Sequence, residues 1–118
     1  MKSPPRGEVW LVDLGIAAKV RPCLVLGVPA TDQDRSLVCL VPHTTSVRGS
    51  RFEVSTRVRF LEAGAFDAQS IVTVPAARLV RRLGVLAEIQ LADVEAAVLA
   101  WLGVGRSDAS PKKLLPSD

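Results

Sequence analysis

Hydrophobic and polar residues alternate in short runs over the first half of the chain, which is the pattern of β-strands rather than helices. Residues 8–14 form the first run, and apolar residues at neighbouring positions predict a strand covered on both faces, as in a small barrel. Two further runs, 22–29 and 37–42, are rich in Val and Leu and are bounded by Pro or turn-forming residues. The polar segment 30–35 separates them and predicts a hairpin. Antiparallel pairing of these strands would bring Arg21, at the start of the first, close to Thr44, at the end of the second.

Weaker alternation continues after this hairpin. Residues 51–55 and 57–61 alternate polar and apolar side chains, and both predict half-exposed strands. Residues 71–74 are mostly β-branched and predict another strand, which Pro75 ends. The pattern therefore predicts about six short strands in all.

The last part of the chain predicts helices. Residues 76–83 follow a proline and precede Gly84, which favours a short helix with a glycine at its C-terminal end. Residues 90–102 place apolar side chains at helical spacing, and Gly103 ends this longer helix. The predicted fold is mainly β, a small barrel with appended helices. Residues 6–104 form one domain, with a flexible leader at 1–5 and a flexible tail at 105–118.

Composition agrees with a folded domain. Of 118 residues, 48% are hydrophobic and 23% are charged, so disorder is not expected. The sequence contains no apolar run long enough for a membrane helix and no signal-peptide pattern at its start, and we therefore expect a cytoplasmic protein. Cys23 and Cys39 lie within apolar runs and are expected to be buried free thiols.

Charge is moderately basic and unevenly distributed. The formal net charge is +3, residues 1–60 carry nine Lys and Arg against five Asp and Glu, and residues 61–118 carry six against seven. Arg outnumbers Lys eleven to four, and the guanidinium is the better fork for phosphate oxygens. This distribution permits a nucleic-acid partner, and it equally fits an ordinary solvated surface.

The side chains available restrict the chemistry. His43 is the only histidine, the cysteines are far apart in sequence, and the chain has no Gly-rich phosphate loop, so no metal site or nucleophilic triad is expected. An enzyme with this sequence would depend on Arg, Thr, Ser, Gln and Asp. Transesterification of RNA fits that set, because the substrate supplies its own 2′-hydroxyl nucleophile and the protein need only move protons and stabilise charge.

Several motifs together resemble one family. RGEVWLVDLG, KVRPCLVLG, VCLVPHTTS, RFEV and LVRRLGVL follow in this order between Arg6 and Gly103, and they resemble the MazF/PemK toxins of type II toxin–antitoxin systems. The resemblance implies an SH3-like, MazF/CcdB-like barrel with a C-terminal helix. It also implies a homodimeric, sequence-specific endoribonuclease (an mRNA interferase). Such a toxin cleaves single-stranded RNA without a metal or other cofactor, and a cognate antitoxin with an acidic, disordered C-terminal segment neutralises it.

The resemblance also implies roles for residues. Arg21 falls on the catalytic arginine of the family and would exchange protons and stabilise the phosphate charge, while Thr44 falls on the catalytic threonine and would hydrogen-bond the phosphate. The candidate RNA-binding residues are Lys19, Thr45, Ser46, Arg48, Arg51 and Gln69. The connection at 15–20 is shorter than in many members, which leaves the cleaved motif open.

Alternatives remain at this point. Arg21 could be a surface cation and Thr44 a turn hydroxyl that caps a strand end. His43 either fills the end of its strand, which we favour, or contacts RNA. The same barrel also occurs in CcdB-like toxins that act by binding DNA gyrase, and a catalytically inactive regulatory or interaction module stays open as a further alternative, since fold does not fix function.

Overall fold

An antiparallel sheet and one helix make up the described part of the computed structural model, which covers residues 3–15 and 19–105. The strands are β1 (Glu8–Asp13), β2 (Val20–Val25), β3 (Leu37–Thr44), β4 (Glu53–Ser55), β5 (Ala65–Asp67), β6 (Val72–Pro75) and β7 (Leu79–Val85). Two single turns of 3₁₀-helix, Ala68–Ser70 and Ala76–Arg78, flank β6, and the helix α1 spans Glu88–Leu102. The strand order is β4-β5-β3-β2-β1-β7, and β6 pairs with β3.

Both faces of the central strands are buried, as their two-sided apolar pattern predicts. On β2, Leu24 packs in a cluster with Phe66 and with Val94 and Val98 of α1. Its neighbours on the strand point the other way: Cys23 packs in a second cluster. Because neighbouring strand residues alternate between faces, a strand enclosed on both sides must be apolar at nearly every position.

The predicted hairpin is confirmed. β2 and β3 are antiparallel, with Cys23 opposite Pro42 and Val25 opposite Leu40. The C-terminal helix is also confirmed, and it ends at Gly103, whose φ of 73° lies in the left-handed region that favours glycine. At its start, Gln90 accepts a hydrogen bond from the amide of Ala87 at 3.0 Å, while Ala87, the N-cap residue, has no side-chain acceptor of its own.

Two predicted elements are wrong. Residues 76–83 are not a short helix: one 3₁₀ turn is followed by β7, which pairs with β1 through Val9 opposite Gly84 and Leu11 opposite Arg81. The pairing with β1 outweighs the local helical signal. Residues 57–61 are not a strand but a loop and turn, and the Phe60 ring packs against Gly84. The sequence also gave no sign of β5, which has three residues.

The chain ends were predicted to be flexible. Within the leader, Pro4 is buried, and Ser3 accepts a hydrogen bond from the amide of Ala30 at 3.1 Å. Residues 3–5 therefore contact the folded domain. Residues 1–2 and all of the predicted tail after residue 105 lie outside the described residues. The division into leader, domain and tail stays a prediction.

The two cysteines lie on β2 and β3. Cys23 is buried and Cys39 is partly buried, both as free thiols. Burial raises the pKa of Cys23 to about 12, against a smaller opposite effect of the Arg21 charge, so this thiol stays protonated and inert.

No helix within the described residues is both long and apolar enough to cross a membrane.

Candidate active site

The sheet register brings the two candidate catalytic residues together. Cys23 lies opposite Pro42, and continuing this antiparallel register by two residues places Arg21 opposite Thr44. Directly opposed residues point to the same face of a sheet, so both side chains project together. Arg21 is also held by β1, where it pairs with Val12, and Thr44 by β5, where it pairs with Ala65. The pair is therefore fixed by the sheet.

Thr44 has a hydroxyl with one hydrogen-bonding role already filled. Its Oγ1 accepts a hydrogen bond from the amide of Ser46 at 3.0 Å. This is the turn-capping contact of the alternative interpretation. It does not compete with catalysis, because a threonine hydroxyl both accepts and donates. The contact orients the oxygen and leaves its proton available for a phosphate oxygen.

Arg21 carries a guanidinium without an internal partner. It is half-buried, and among residues 3–15 and 19–105 it makes no side-chain hydrogen bond or ion pair. Three other arginines are paired, Arg6 with Glu95, Arg78 with Asp13 and Arg82 with Glu8. A cation that is fixed on a central strand but unpaired has its donors available for an external anion.

Two cavities meet at this pair. The first has a volume of about 350 Å³ and is lined by both apolar and polar side chains; its lining residues are Leu14, Arg21, Pro42, Thr44, Ser46, Arg48, Glu53, Asp67, Ser70 and Val72. The second is about 430 Å³; its lining residues are Lys19, Val20, Arg21, Pro22, His43, Thr44, Thr45, Ser46, Phe60, Leu61 and Glu62. Arg21, Thr44 and Ser46 belong to both. The pair thus forms the ridge between two adjoining depressions.

Glu53 builds the wall of the first cavity. Its carboxylate accepts hydrogen bonds from the amides of Arg48, Gly49 and Ser50 at 3.1, 2.7 and 2.8 Å. Gly49 allows this tight loop, because its φ of 83° is a conformation that side chains disfavour. The amide of Arg48, followed by that of Ser50, lowers the pKa of Glu53, which stays ionised. The loop is thereby shaped so that Arg48 lines the cavity.

Asp67 is a second carboxylate in that wall, opposite Glu53 across the β4–β5 pair. It accepts hydrogen bonds from the amide of Gln69 at 3.1 Å and from the hydroxyl of Ser70 at 2.8 Å, which cap the 3₁₀ turn Ala68–Ser70. Sequence reasoning missed Glu53 and Asp67 as site residues. Only the pairing of two three-residue strands reveals them, and strands that short leave little periodic signal.

Four of the six candidate RNA-binding residues line the cavities: Lys19, Thr45, Ser46 and Arg48. Lys19 does so with a backbone φ of 58°, an uncommon conformation for a residue with a side chain. The other two do not line either cavity. Arg51 lies over the ring of Phe52, 4.5 Å from its centre, and Gln69 is exposed on the 3₁₀ turn beyond Asp67.

His43 fills the end of β3, as favoured from the sequence. It is 4% exposed and packs edge-to-face on Phe66, with 5.1 Å between ring centres. Its Nε2 is buried and has no hydrogen-bond partner among the described residues. Burial lowers the pKa of His43, against the opposite effect of the Glu62 charge, so the ring is neutral at neutral pH.

The lining charges are balanced. Lys19, Arg21 and Arg48 face Glu53, Asp67 and Glu62. The cavities are therefore not a uniformly basic groove, and binding of an anion must depend on placed donors more than on a general field. Within the described residues, no three His, Cys, Asp or Glu side chains lie together as metal ligands would.

This chain is similar in sequence and in structure to known proteins. Residues 5–102 match the family described as PemK-like, MazF-like toxins of type II toxin–antitoxin systems. The probable endoribonuclease MazF5 of Mycobacterium tuberculosis (strain ATCC 25618 / H37Rv) is 34% identical over 96 residues, which cover 75% of this chain and 83% of that protein.

Solved structures show the same fold. A mycobacterial endoribonuclease in complex with its cognate antitoxin superposes with a TM-score of 0.76 and 25% identity, over 87% of this chain and 98% of that one. MazF of Deinococcus radiodurans superposes with a TM-score of 0.73 and 26% identity, over 86% and 98%. The resemblance inferred from the sequence motifs is confirmed.

Proposed function

The chain belongs to the PemK-like, MazF-like toxin family of type II toxin–antitoxin systems, and we propose that it is a metal-independent endoribonuclease that cleaves single-stranded RNA at a specific sequence. The main support for this proposal is that Arg21 and Thr44 both line the two cavities, just beyond the last printed pair of the β2–β3 register, Cys23 and Pro42. A cation without an internal partner and a hydroxyl with a free proton converge where one phosphate can contact both.

The reaction follows from what this pair can do. The 2′-oxygen of the substrate forms a bond to phosphorus while the bond from phosphorus to the 5′-oxygen breaks, which leaves a 2′,3′-cyclic phosphate and a 5′-hydroxyl. One proton leaves the 2′-hydroxyl and one reaches the 5′-oxygen. Arg21 exchanges protons with the reacting oxygens and stabilises the charge that develops on the phosphate, and Thr44 donates a hydrogen bond to a phosphate oxygen.

The remaining cavity residues hold the RNA. Lys19, Thr45, Ser46 and Arg48 surround the ridge with cationic and hydroxyl donors suited to backbone phosphates. Arg51 and Gln69, which lie outside both cavities, contact RNA only if the strand extends along the surface beyond them. The balanced charge of the lining makes recognition depend on these local contacts.

Membership of this toxin family indicates the binding partners of the protein. The protein acts as a homodimer in the cytoplasm, where its RNA substrate is found, and a cognate antitoxin neutralises it. The acidic, disordered C-terminal segment of that antitoxin competes with RNA for the cationic side chains around Arg21. A mycobacterial relative of the same fold is known in complex with its cognate antitoxin, which supports this assignment.

Incubation with a long RNA in EDTA tests the activity. We expect discrete fragments that end in a 2′,3′-cyclic phosphate, identified by mass spectrometry. A short substrate with a single 2′-deoxynucleotide at the cleaved position should remain intact, because it lacks the nucleophile. A folded protein that leaves all RNA intact would contradict the proposal and favour a toxin that acts by binding a protein such as DNA gyrase.

A further inference from the structure

The second cavity contains an aromatic platform that the reaction itself does not use. Phe60 is partly buried, packs against the hydrophobic cluster that contains Leu24 and Phe66, and contributes to the lining of this cavity. A Cβ atom on Gly84 would lie 2.4 Å from Cε2 of the Phe60 ring, so the ring rests directly on the β7 backbone. A fixed aromatic face beside a phosphate site is suited to stacking of a nucleobase.

A carboxylate lies in the same cavity. Glu62 is exposed and, among residues 3–15 and 19–105, makes no hydrogen bond or ion pair with another side chain or amide. Glu53 and Asp67, by contrast, already accept hydrogen bonds from their own loops. Of the three cavity carboxylates, Glu62 alone has both oxygens available to a ligand.

The charge of Glu62 decides which part of RNA it can contact. A carboxylate repels phosphate and accepts hydrogen bonds from the N–H groups of a base edge or from a ribose 2′-hydroxyl, and only a base edge can present two neighbouring donors to its two oxygens. Guanine presents two neighbouring donors, N1–H and the N2 amine, that match the two oxygens. Adenine, cytosine and uracil each place a lone-pair acceptor next to their donor, and that acceptor would face the negative charge.

We infer that the second cavity is a guanine-binding subsite for the nucleotide next to the cleaved bond, with Phe60 stacking on the base and Glu62 accepting from N1–H and N2–H. The inference rests on the proposed function, because the phosphate on Arg21 and Thr44 sets the position of the base. Those two residues line the cavity that holds Phe60 and Glu62, so one nucleotide can reach both. The volume, about 430 Å³, is within the range of small-molecule sites.

Sequencing of cleavage sites in a randomised RNA library tests the preference. Wild-type protein should cut next to guanine, and Glu62→Gln should still cut but with this preference lost. Glu88→Gln is the matched control, since Glu88 is an exposed carboxylate at the start of α1 and lines neither cavity. Both glutamates are exposed, and Glu88→Gln removes only the modest interaction of its charge with the N-terminal end of α1, so both variants should fold, which thermal melting checks.

Removal of one functional group from the RNA base tests its contact with Glu62 directly. Inosine lacks the N2 amine of guanosine, and its substitution at the preferred position should lower kcat/KM of the wild-type and Glu88→Gln proteins about tenfold, the order expected for one charge-assisted hydrogen bond. With Glu62→Gln the inosine penalty should be much smaller. Phe60→Tyr, which keeps the ring, should retain the guanine preference.

The outcomes separate the two proposals. If wild-type protein cuts RNA but its sites lack a flanking guanine, or if Glu62→Gln shows the full inosine penalty, the guanine subsite is wrong while the ribonuclease stands. If wild-type protein cuts no RNA, the proposed function fails and the subsite fails with it.

Discussion

Replacement of the ridge residues gives the sharpest test of the active site. We expect Arg21→Ala and Thr44→Val each to lower single-turnover RNA cleavage about 10²–10³-fold, or roughly 3–4 kcal/mol in activation free energy, the usual effect of removing one donor from a preorganised site. In the proposed mechanism, both side chains act on one phosphate. The double variant should therefore be little slower than the slower single variant, because residues that act as a unit are not additive.

The structure also predicts that the fold survives these changes. Arg21 is half-buried, and its loss removes contacts of the aliphatic stem worth about 1 kcal/mol. Thr44→Val removes the acceptor of the Ser46 amide. That amide is exposed and can bind water instead, so the cost is also about 1 kcal/mol. Reduced activity with a native fold is the expected pattern.

Conservative variants distinguish chemistry from packing. Thr44→Ser keeps the hydroxyl and should keep most of the activity. Arg21→Lys keeps the charge but not the planar fork, and it should not restore the rate.

The assay is single-turnover cleavage of a short fluorescent RNA that contains one site, in EDTA, with circular dichroism as the folding check. Arg81→Ala and Thr73→Val are matched controls, because Arg81 and Thr73 are exposed on β7 and β6 and line neither cavity. Near-wild-type cleavage by Arg21→Ala, or equal losses in the control variants, would refute the assignment of the ridge as the catalytic centre.

Two further predictions concern stability and assembly. Burial lowers the pKa of His43 below its usual value of 6.5. As the pH falls below about 6.5, the unfolded chain therefore binds a proton at this histidine before the folded chain does. The free energy of unfolding decreases as a result. Urea denaturation between pH 7.5 and 5.5 should show this slope, and His43→Leu should flatten it; an unchanged slope in the variant would contradict the prediction. Light scattering at micromolar concentration should give twice the chain mass of 12.6 kDa, and a monomer mass at every concentration would contradict the homodimer.

The buried position of His43 changes the expected effect of His43→Ala on stability. From the sequence, His43→Ala should cost little, because no proton-transfer role is assigned to the ring. With His43 4% exposed and packed on Phe66, truncation also leaves a cavity, which typically costs a few kcal/mol of stability. A loss of activity in His43→Ala is therefore interpretable only if the variant is shown to be folded.

Local sequence patterns are sufficient to specify the central hairpin. Apolar runs bounded by turn residues predict β2 and β3 independently of the rest of the chain, and antiparallel pairing brings the start of β2, with Arg21, to the end of β3, with Thr44. The end of the C-terminal helix is similarly local, because Gly103 takes the left-handed conformation there, but of the apolar residues in the helix only Val94 and Val98 are buried. The motif order was sufficient to identify the family.

Elements whose local signal is weak or misleading depend on long-range contacts. Residues 79–85 form a strand because β1 offers them a pairing edge, and residues 57–61 turn because Phe60 packs on the Gly84 of that strand. The two cavities depend on the same long-range contacts: Glu53 and Asp67 meet through a pair of three-residue strands, and Phe60 and Glu62 reach the hairpin from a loop. The hydrophobic periodicity of a segment indicates which of its faces is buried, but it does not indicate which distant segment covers that face.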